Sequence, residues 1–223
     1  MSPRSLVVML CLLTAGCEPP GKPADDSENT TPKDFKTLFS QNCSGCHGVE
    51  GRDGAVRPLH DPLYLAVIPR SELQRVIENG RAGTSMPAWL RDHGGPLDAQ
   101  QIATLVDGIE QNWAKPGYSA PDAPAYLAGD RKGDPLEGHK LFNKDCFMCH
   151  GQGAPIGSVT DPSFLTLASD QGLRTAIIAG RTDLGMPSYE RLNHGSPLSD
   201  QNVTDIAAYL SSLRPAQSAG GAE

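Results

Sequence analysis

A chain of 223 residues is long enough for one large domain or two small ones. Aromatic residues make up only 5% against 24 glycines and 19 prolines, thin core material for two domains of about 80 residues each. The formal charge of −7 comes without a basic stripe, which excludes a nucleic-acid binder and reads first as a solubility feature.

Residues 1–16 read as an export signal. Arg4 supplies a positive start, and Leu6 to Leu13 form an apolar stretch too short to span a bilayer. It closes in Thr14-Ala15-Gly16-Cys17, which is similar to a bacterial lipobox with Thr14 where Leu is commonest. That likeness implies acylation of Cys17, which then becomes the mature N-terminus and holds the chain to a bacterial membrane on its periplasmic or extracytoplasmic side. An ordinary signal cleaved near Ala15 or Gly16 is the alternative. Residues 17–34 are rich in Pro, Asp, Ser and Thr and hold no large apolar side chain, so they are predicted to be a flexible tether. Random-coil scaling gives it a reach of roughly 20–25 Å.

The rest of the chain is built on one five-residue pattern that occurs twice, Cys43-Ser44-Gly45-Cys46-His47 and Cys146-Phe147-Met148-Cys149-His150. In each, two thiols lie on adjacent turns of a short helix, in reach of the vinyl groups of one porphyrin, and the histidine falls under the iron. This is the pattern of covalent c-type haem attachment. Zinc asks for four ligands at finger-like spacing, and a dithiol redox pair for a βαβ setting; neither surrounds these motifs. Cys11 and Cys17 belong to the leader, so no cysteine is left for a structural disulfide.

The flanks repeat as well. Leu38-Phe39 matches Leu141-Phe142, Asp61-Pro62 matches Asp161-Pro162, Gly80-Arg81 matches Gly180-Arg181, and Met86-Pro87 matches Met186-Pro187. His93-Gly94-Gly95-Pro96-Leu97 returns as His194-Gly195-Ser196-Pro197-Leu198. One order of matches means a duplication. The predicted units are 35–113 and 136–214, joined by a Pro- and Gly-rich linker over 114–135 and followed by a disordered tail over 215–223.

Within each unit the order is the same. A first helix runs into the haem motif, and an irregular loop follows, 14 residues from His47 to Asp61 but 11 from His150 to Asp161. The middle helix is predicted over Glu72–Asn79 with Ser71 as N-cap and Gly80 as its stop, and its counterpart ends at Gly180. A methionine-bearing loop leads to a last helix that opens at Asp98 with Gln101 three residues on, a capping-box pattern; the second copy opens at Ser199. No strand pattern is visible, so the fold class is all-α, with a buried haem completing each sparse core.

An electron carrier needs both axial positions of its iron filled by protein. His47 and His150 fill one side. Past the leader there are three methionines, and Met148 sits between two haem-linking cysteines and cannot reach the far face of its own haem. Met86 and Met186 remain, 39 and 36 residues past their histidines and each followed by proline. The chain resembles the class I cytochrome c family in two tandem copies. The resemblance implies two covalently bound haem c groups, on Cys43 and Cys46 and on Cys146 and Cys149, with His47/Met86 and His150/Met186 as axial pairs. Arg81 and Arg181 suit haem propionates through their guanidinium forks, with surface exposure as the alternative, and the resemblance suggests Trp89 and Tyr189 at the haem edge. In the family a loop proline's carbonyl commonly accepts the histidine Nδ1–H; Pro58 suits that part in the first copy, while Pro155 sits differently in a shortened loop. Gly138 and Tyr209 are the small–large pair expected where first and last helices cross. At the aligned positions Phe35 and Gly108 exchange the sizes, so Phe35 is expected to fill against Gly108.

His60 and His139 have no counterparts and are read as surface positions; His93 and His194 recur and are read as turn residues before the last helix. The expected function is a membrane-tethered dihaem carrier passing single electrons between redox partner proteins, such as a membrane oxidoreductase or terminal oxidase, or within a larger respiratory complex. The alternative is a dihaem enzyme of peroxidase or thiosulfate-oxidising type. That chemistry needs a labile ligand on one haem, and the sequence offers no extra cysteine or paired carboxylates for it.

Overall fold

The computed structural model describes residues 34–192 and 196–215. The export signal, Cys17, nearly all of the tether, His194 and the tail beyond residue 215 lie outside them. The described residues are helical, with two isolated β-bridges, Leu90 to Leu97 and Arg181 to Met186. Among them no helix is long and apolar enough to cross a membrane.

Five helices form the first copy: α1 (Phe35–Asn42), α2 (Ser44–His47), α3 (Pro62–Val67), α4 (Arg70–Asn79) and α5 (Ala99–Trp113). The second copy repeats them as α6 (Pro135–Asp145), α7 (Phe147–His150), α8 (Pro162–Leu167), α9 (Asp170–Ala179) and α10 (Asp200–Ser212). The sequence reading missed α3 and α8, although the signal was present: Asp61 and Asp161 cap them and a proline opens each first turn. The middle helix of the first copy starts at Arg70 behind Pro69, so Ser71 lies inside it rather than capping it. The linker ends one residue early, because Asp134 caps α6 and Pro135 is already helical. The capping box of Asp98 with Gln101 forms as expected, and Ser199, the expected start of the last helix, makes another with Asn202.

The first and last helices of each copy cross at a glycine. A Cβ on Gly138 would lie 1.9 Å from the Asp205 carbonyl oxygen and 2.9 Å from Tyr209 Cβ, so the backbones of α6 and α10 touch. A Cβ on Gly108 would lie 2.1 Å from the Phe35 ring. The exchange of sizes is therefore real: Phe35 fills against Gly108, its ring 5.4 Å from Trp113.

Each copy has its own core, Leu38, Phe39, Ile102, Leu105 and Ile109 in one, Phe142, Leu165, Ile178, Val203 and Ile206 in the other. The two cores interlock, since Ala179 belongs to the first and Leu63 to the second. The linker is packed too. Tyr126 is buried in the first core. Arg174, 2% exposed, donates to the Ala125 carbonyl at 2.7 and 3.0 Å, to the Tyr126 carbonyl at 3.2 Å and to Thr204 Oγ1 at 2.9 Å. It also pairs with Asp200, which reaches back to Arg131 at 2.9 Å.

Candidate haem sites

The first site is a single cavity of about 300 Å³ between α2, α4, α5 and the Met86 loop. Cys43, Cys46, His47 and Met86 all line it, as do Arg81 and Trp89, so every residue expected around the first haem meets in one place. The walls are aliphatic, with Leu73, Ile77, Leu105 and Ile109 among them. One side is closed by the other copy, through Ala168, Ser169, Gly172 and Thr175 around the start of α9. Two thiols, an imidazole and a thioether around an apolar hollow are a donor set that fits a haem and its covalent attachment.

His47 is fixed by its own backbone surroundings. Its Nδ1 lies 3.0 Å from the Arg57 carbonyl oxygen. A carbonyl only accepts, so Nδ1 carries the proton and Nε2 keeps its lone pair. The acceptor is one residue earlier than expected: it is the carbonyl of Arg57, on the residue preceding Pro58. Burial lowers the pKa of His47, and the Arg57 carbonyl opposes that only in part, which favours the neutral, ligating form. Burial, with help from Cys46, pushes the Cys43 thiol up to about 12.

The methionine loops are built alike. Gly80 and Gly180 end α4 and α9 at φ 69 and 68 with ψ −164 and −165, a region essentially reserved for glycine. The Arg81 N–H donates to the Met86 carbonyl at 3.0 Å and the Arg181 N–H to the Met186 carbonyl at 3.1 Å. A Cβ on either glycine would lie 2.5–2.6 Å from the carbonyl oxygen of its own methionine. This close approach folds each loop back over its helix end.

The second site is less gathered. Cys146, Cys149 and His150 stand on and beside α7, while Met186 lines a separate cleft of about 550 Å³ with Pro187, Asp61, Leu63, Lys115 and Tyr118. Tyr189 is buried in the second core, its hydroxyl pKa raised by burial and nearby acidic groups. His150 Nδ1 is buried beside the Gly157 backbone, without a hydrogen bond of the kind His47 makes to the Arg57 carbonyl. Burial lowers its pKa, and the Gly157 backbone opposes that weakly. Burial and Asp145, with Cys149, push the Cys146 thiol up to about 12. None of the four motif cysteines is in a disulfide. Among the described residues no three His, Cys, Asp or Glu side chains converge to hold a bare metal ion.

The arginines differ as well. Arg81, which lines the first cavity, donates to Tyr126 Oη at 2.7 Å, whereas Arg181 forks onto Asp183 at 2.7–3.3 Å. Arg57, which no motif announced, also lines the first cavity. Of the remaining histidines, His93 sits in a 3-10 turn (Arg91–His93) before α5, as expected. His139 is exposed, with its ring 4.8 Å from Tyr209. His60 is only half exposed, stacked 5.9 Å from Trp113 at an interplanar angle of 17°. It is a packing residue, and its flat face on a tryptophan was not readable from a lone histidine.

Comparison with known proteins gives a consistent picture. Residues 30–107 and again 133–210 match the sequence profile of the family described as cytochrome c oxidase, cbb3-type, subunit III. The chain is 27% identical over 207 residues to the cytochrome bc1 complex cytochrome c subunit of Mycobacterium tuberculosis, covering 89% of this chain and 69% of that one. It is 27% identical over 192 residues to the cbb3-type cytochrome c oxidase subunit FixP of Bradyrhizobium diazoefficiens, covering 80% of this chain and 59% of that one. Among solved structures it resembles a chain of the reducing HAO-like protein complex of Kuenenia stuttgartiensis, with a TM-score of 0.50 at 20% identity, over 82% of this chain and 99% of that one. At that identity the likeness concerns the fold.

Proposed function

We propose, from the premise that this chain belongs to the cytochrome c oxidase, cbb3-type, subunit III family, how its residues carry electrons. The chain is a dihaem c-type cytochrome, an all-α protein of two tandem domains with two covalently bound haem c groups, and it transfers electrons between redox partners. Cys43 and Cys46 would hold the first haem and Cys146 and Cys149 the second, with His47 and Met86, and His150 and Met186, as the protein donors to iron. Bound haem supplies a reversible one-electron couple.

The chain's own residues make that couple fast and closed. The Arg57 carbonyl orients His47 and leaves Nε2 facing the cavity. The Gly80 and Gly180 turns clamp the methionine loops, so each thioether stays where its loop puts it. Aliphatic walls from α4 and α5 exclude water, which keeps reorganisation small when the charge changes. The observation that carries this reading is the single cavity in which Cys43, Cys46, His47 and Met86 meet.

The partners proposed are respiratory assemblies of the kind named for the relatives, a bc1 complex or a cbb3-type oxidase. Export through residues 1–16, a lipid on Cys17 and the tether over 17–34 would hold the domains at a membrane surface, facing the extracytoplasmic side.

The test is the ferric spectrum of the purified protein, followed by carbon monoxide addition to the reduced form. Two closed His/Met sites give a far-red methionine–iron band accounting for two haems and a spectrum indifferent to carbon monoxide. A haem that binds carbon monoxide readily would overturn pure electron transfer and point to an enzyme with a labile ligand. A second check is mass spectrometry of the membrane-extracted protein, which should find acyl chains on Cys17; an unmodified N-terminus elsewhere would remove the anchor.

A further inference from the structure

Arg57 serves the first site twice. Its carbonyl receives the His47 Nδ1–H, and its guanidinium lines the cavity, 5.7 Å from the centre of the Tyr64 ring. The Nη1 atom is buried and has no hydrogen-bond partner. Both carboxylates in its electrostatic neighbourhood are committed to other groups. Asp61 accepts the N–H groups of Leu63 and Tyr64, and Asp183 is forked to Arg181. Arg81 lines the same cavity and donates to a neutral hydroxyl, while among the described residues no carboxylate lines it. Burial lowers the pKa of Arg57 and outweighs the opposing pull of Tyr64 and Asp61, with Arg181 and Arg81 adding to the lowering. A cation left buried and unpaired costs stability, so a complete site must bring an anion to it.

The second copy lacks all of this. No arginine occurs between His150 and Asp161. Arg181, the counterpart of Arg81, is already neutralised by Asp183. Asp145 adds a negative group beside Cys146.

We infer that Arg57 is the potential-setting residue of the first site: its buried guanidinium holds the carboxylate edge of the haem and makes this the more oxidising of the two sites. The inference rests on the dihaem reading above. A fixed positive charge in an apolar wall favours the ferrous state, which carries one positive charge fewer. The hydrogen bond from His47 works the other way by making the imidazole a stronger donor, but a full charge outweighs one such dipole. One electron leaving ferrous iron in the second domain would reduce ferric iron in the first, so the chain has a direction.

The test is a potentiometric titration of the full dihaem protein as wild type, Arg57→Gln, Arg57→Lys and Arg81→Gln. In the wild type two waves are resolved. Arg57→Gln should lower the upper wave and leave the lower one in place, with Arg57→Lys falling part of the way, because a lysine keeps the charge and loses the fork. Arg81→Gln should lower the same upper wave by less. A retained methionine–iron band shows that the variants are folded and ligated; if Arg57→Gln does not fold, Arg57→Lys decides. An unmoved upper wave, a shift of the lower wave, or equal shifts of both overturn the proposal. So does a wild-type upper wave that moves with added chloride at constant ionic strength, which would mean that Arg57 holds a solution anion. Two haems with an unmoved upper wave overturn this proposal alone, whereas fewer than two haems per chain overturn the dihaem reading along with it.

Discussion

The two copies keep one backbone plan and surround it with different side chains. Gly80 and Gly180 adopt the same backbone angles and fold their methionine loops over the helix end in the same way. Around that shared turn, several side-chain contacts have changed. His47 is held by a carbonyl and His150 is not. Arg81 donates to a tyrosine, and Arg181 faces an aspartate. At the aligned position of the middle helix, Gln74 pairs with Glu78 at 2.8 Å, while Arg174 is buried and gathers the linker, Thr204 and Asp200. What a duplication preserves is the backbone that places the ligands, because a shift there removes function outright. What it leaves free is the electrostatic setting, which can tune the two sites apart.

The sharpest way to break the comparison is to make the second copy like the first at its buried hub. Arg174→Gln should cost about 3–5 kcal/mol, since it strands the linker carbonyls and Asp200 without their charged partner. Chemical denaturation of the holoprotein measures it, and a loss below about 1 kcal/mol would mean that the linker is held by Tyr126 alone. The helix crossings come next. Gly138→Ala drives a methyl group into the Asp205 backbone, which cannot step aside, and should cost about 2–3 kcal/mol. Gly108→Ala meets only the Phe35 ring at the start of α1 and should cost about 1 kcal/mol, recovered in the Phe35→Leu, Gly108→Ala double variant. Equal costs at the two crossings would show that the Phe35 ring yields no more readily than the Asp205 backbone. Gly80→Ala and Gly180→Ala should each cost about 1–3 kcal/mol of backbone strain. Each should remove the methionine–iron band of its own haem and spare the other, which an absorbance spectrum reads directly.

Much of this was legible because it is local. The haem motif and the Asp98–Gln101 capping box are written within a few residues, and the methionine spacing and the exchange of Phe35 with Gly108 showed once the copies were aligned. The helices α3 and α8 were legible in principle, since Asp-Pro supplies an N-cap and a first-turn proline, but the pair served only as a marker of the repeat. What stayed hidden depends on contacts distant in sequence. Arg57 matters only once the loop after α2 closes on His47, and nothing in that loop says which carbonyl will arrive there. The packed linker depends on Tyr126 finding the first core and on Arg174 finding the linker, at sequence separations of 48 and 49 residues. The wall that α9 lends to the first cavity belongs to the other copy altogether.

The smallest expected effect separates charge from hydrogen bonding at the two last helices. Asp98 accepts the Gln101 N–H at 2.8 Å, and Gln101 Oε1 accepts the Asp98 N–H at 2.9 Å. Ser199 Oγ accepts the Asn202 N–H at 3.1 Å, and Asn202 Oδ1 accepts the Ser199 N–H at 3.1 Å. The boxes have the same wiring and differ in the charge at the helix N-terminus. Ser199→Ala should cost about 1 kcal/mol, the ordinary loss of a cap. Asp98→Ala should cost a few tenths of a kcal/mol more, because an anion there also meets the positive end of the helix dipole. Salt is the control. Raising the ionic strength should shrink the Asp98 excess and leave the Ser199 loss unchanged, whereas an excess that survives high salt would assign the difference to packing around Gln101, which is 3% exposed.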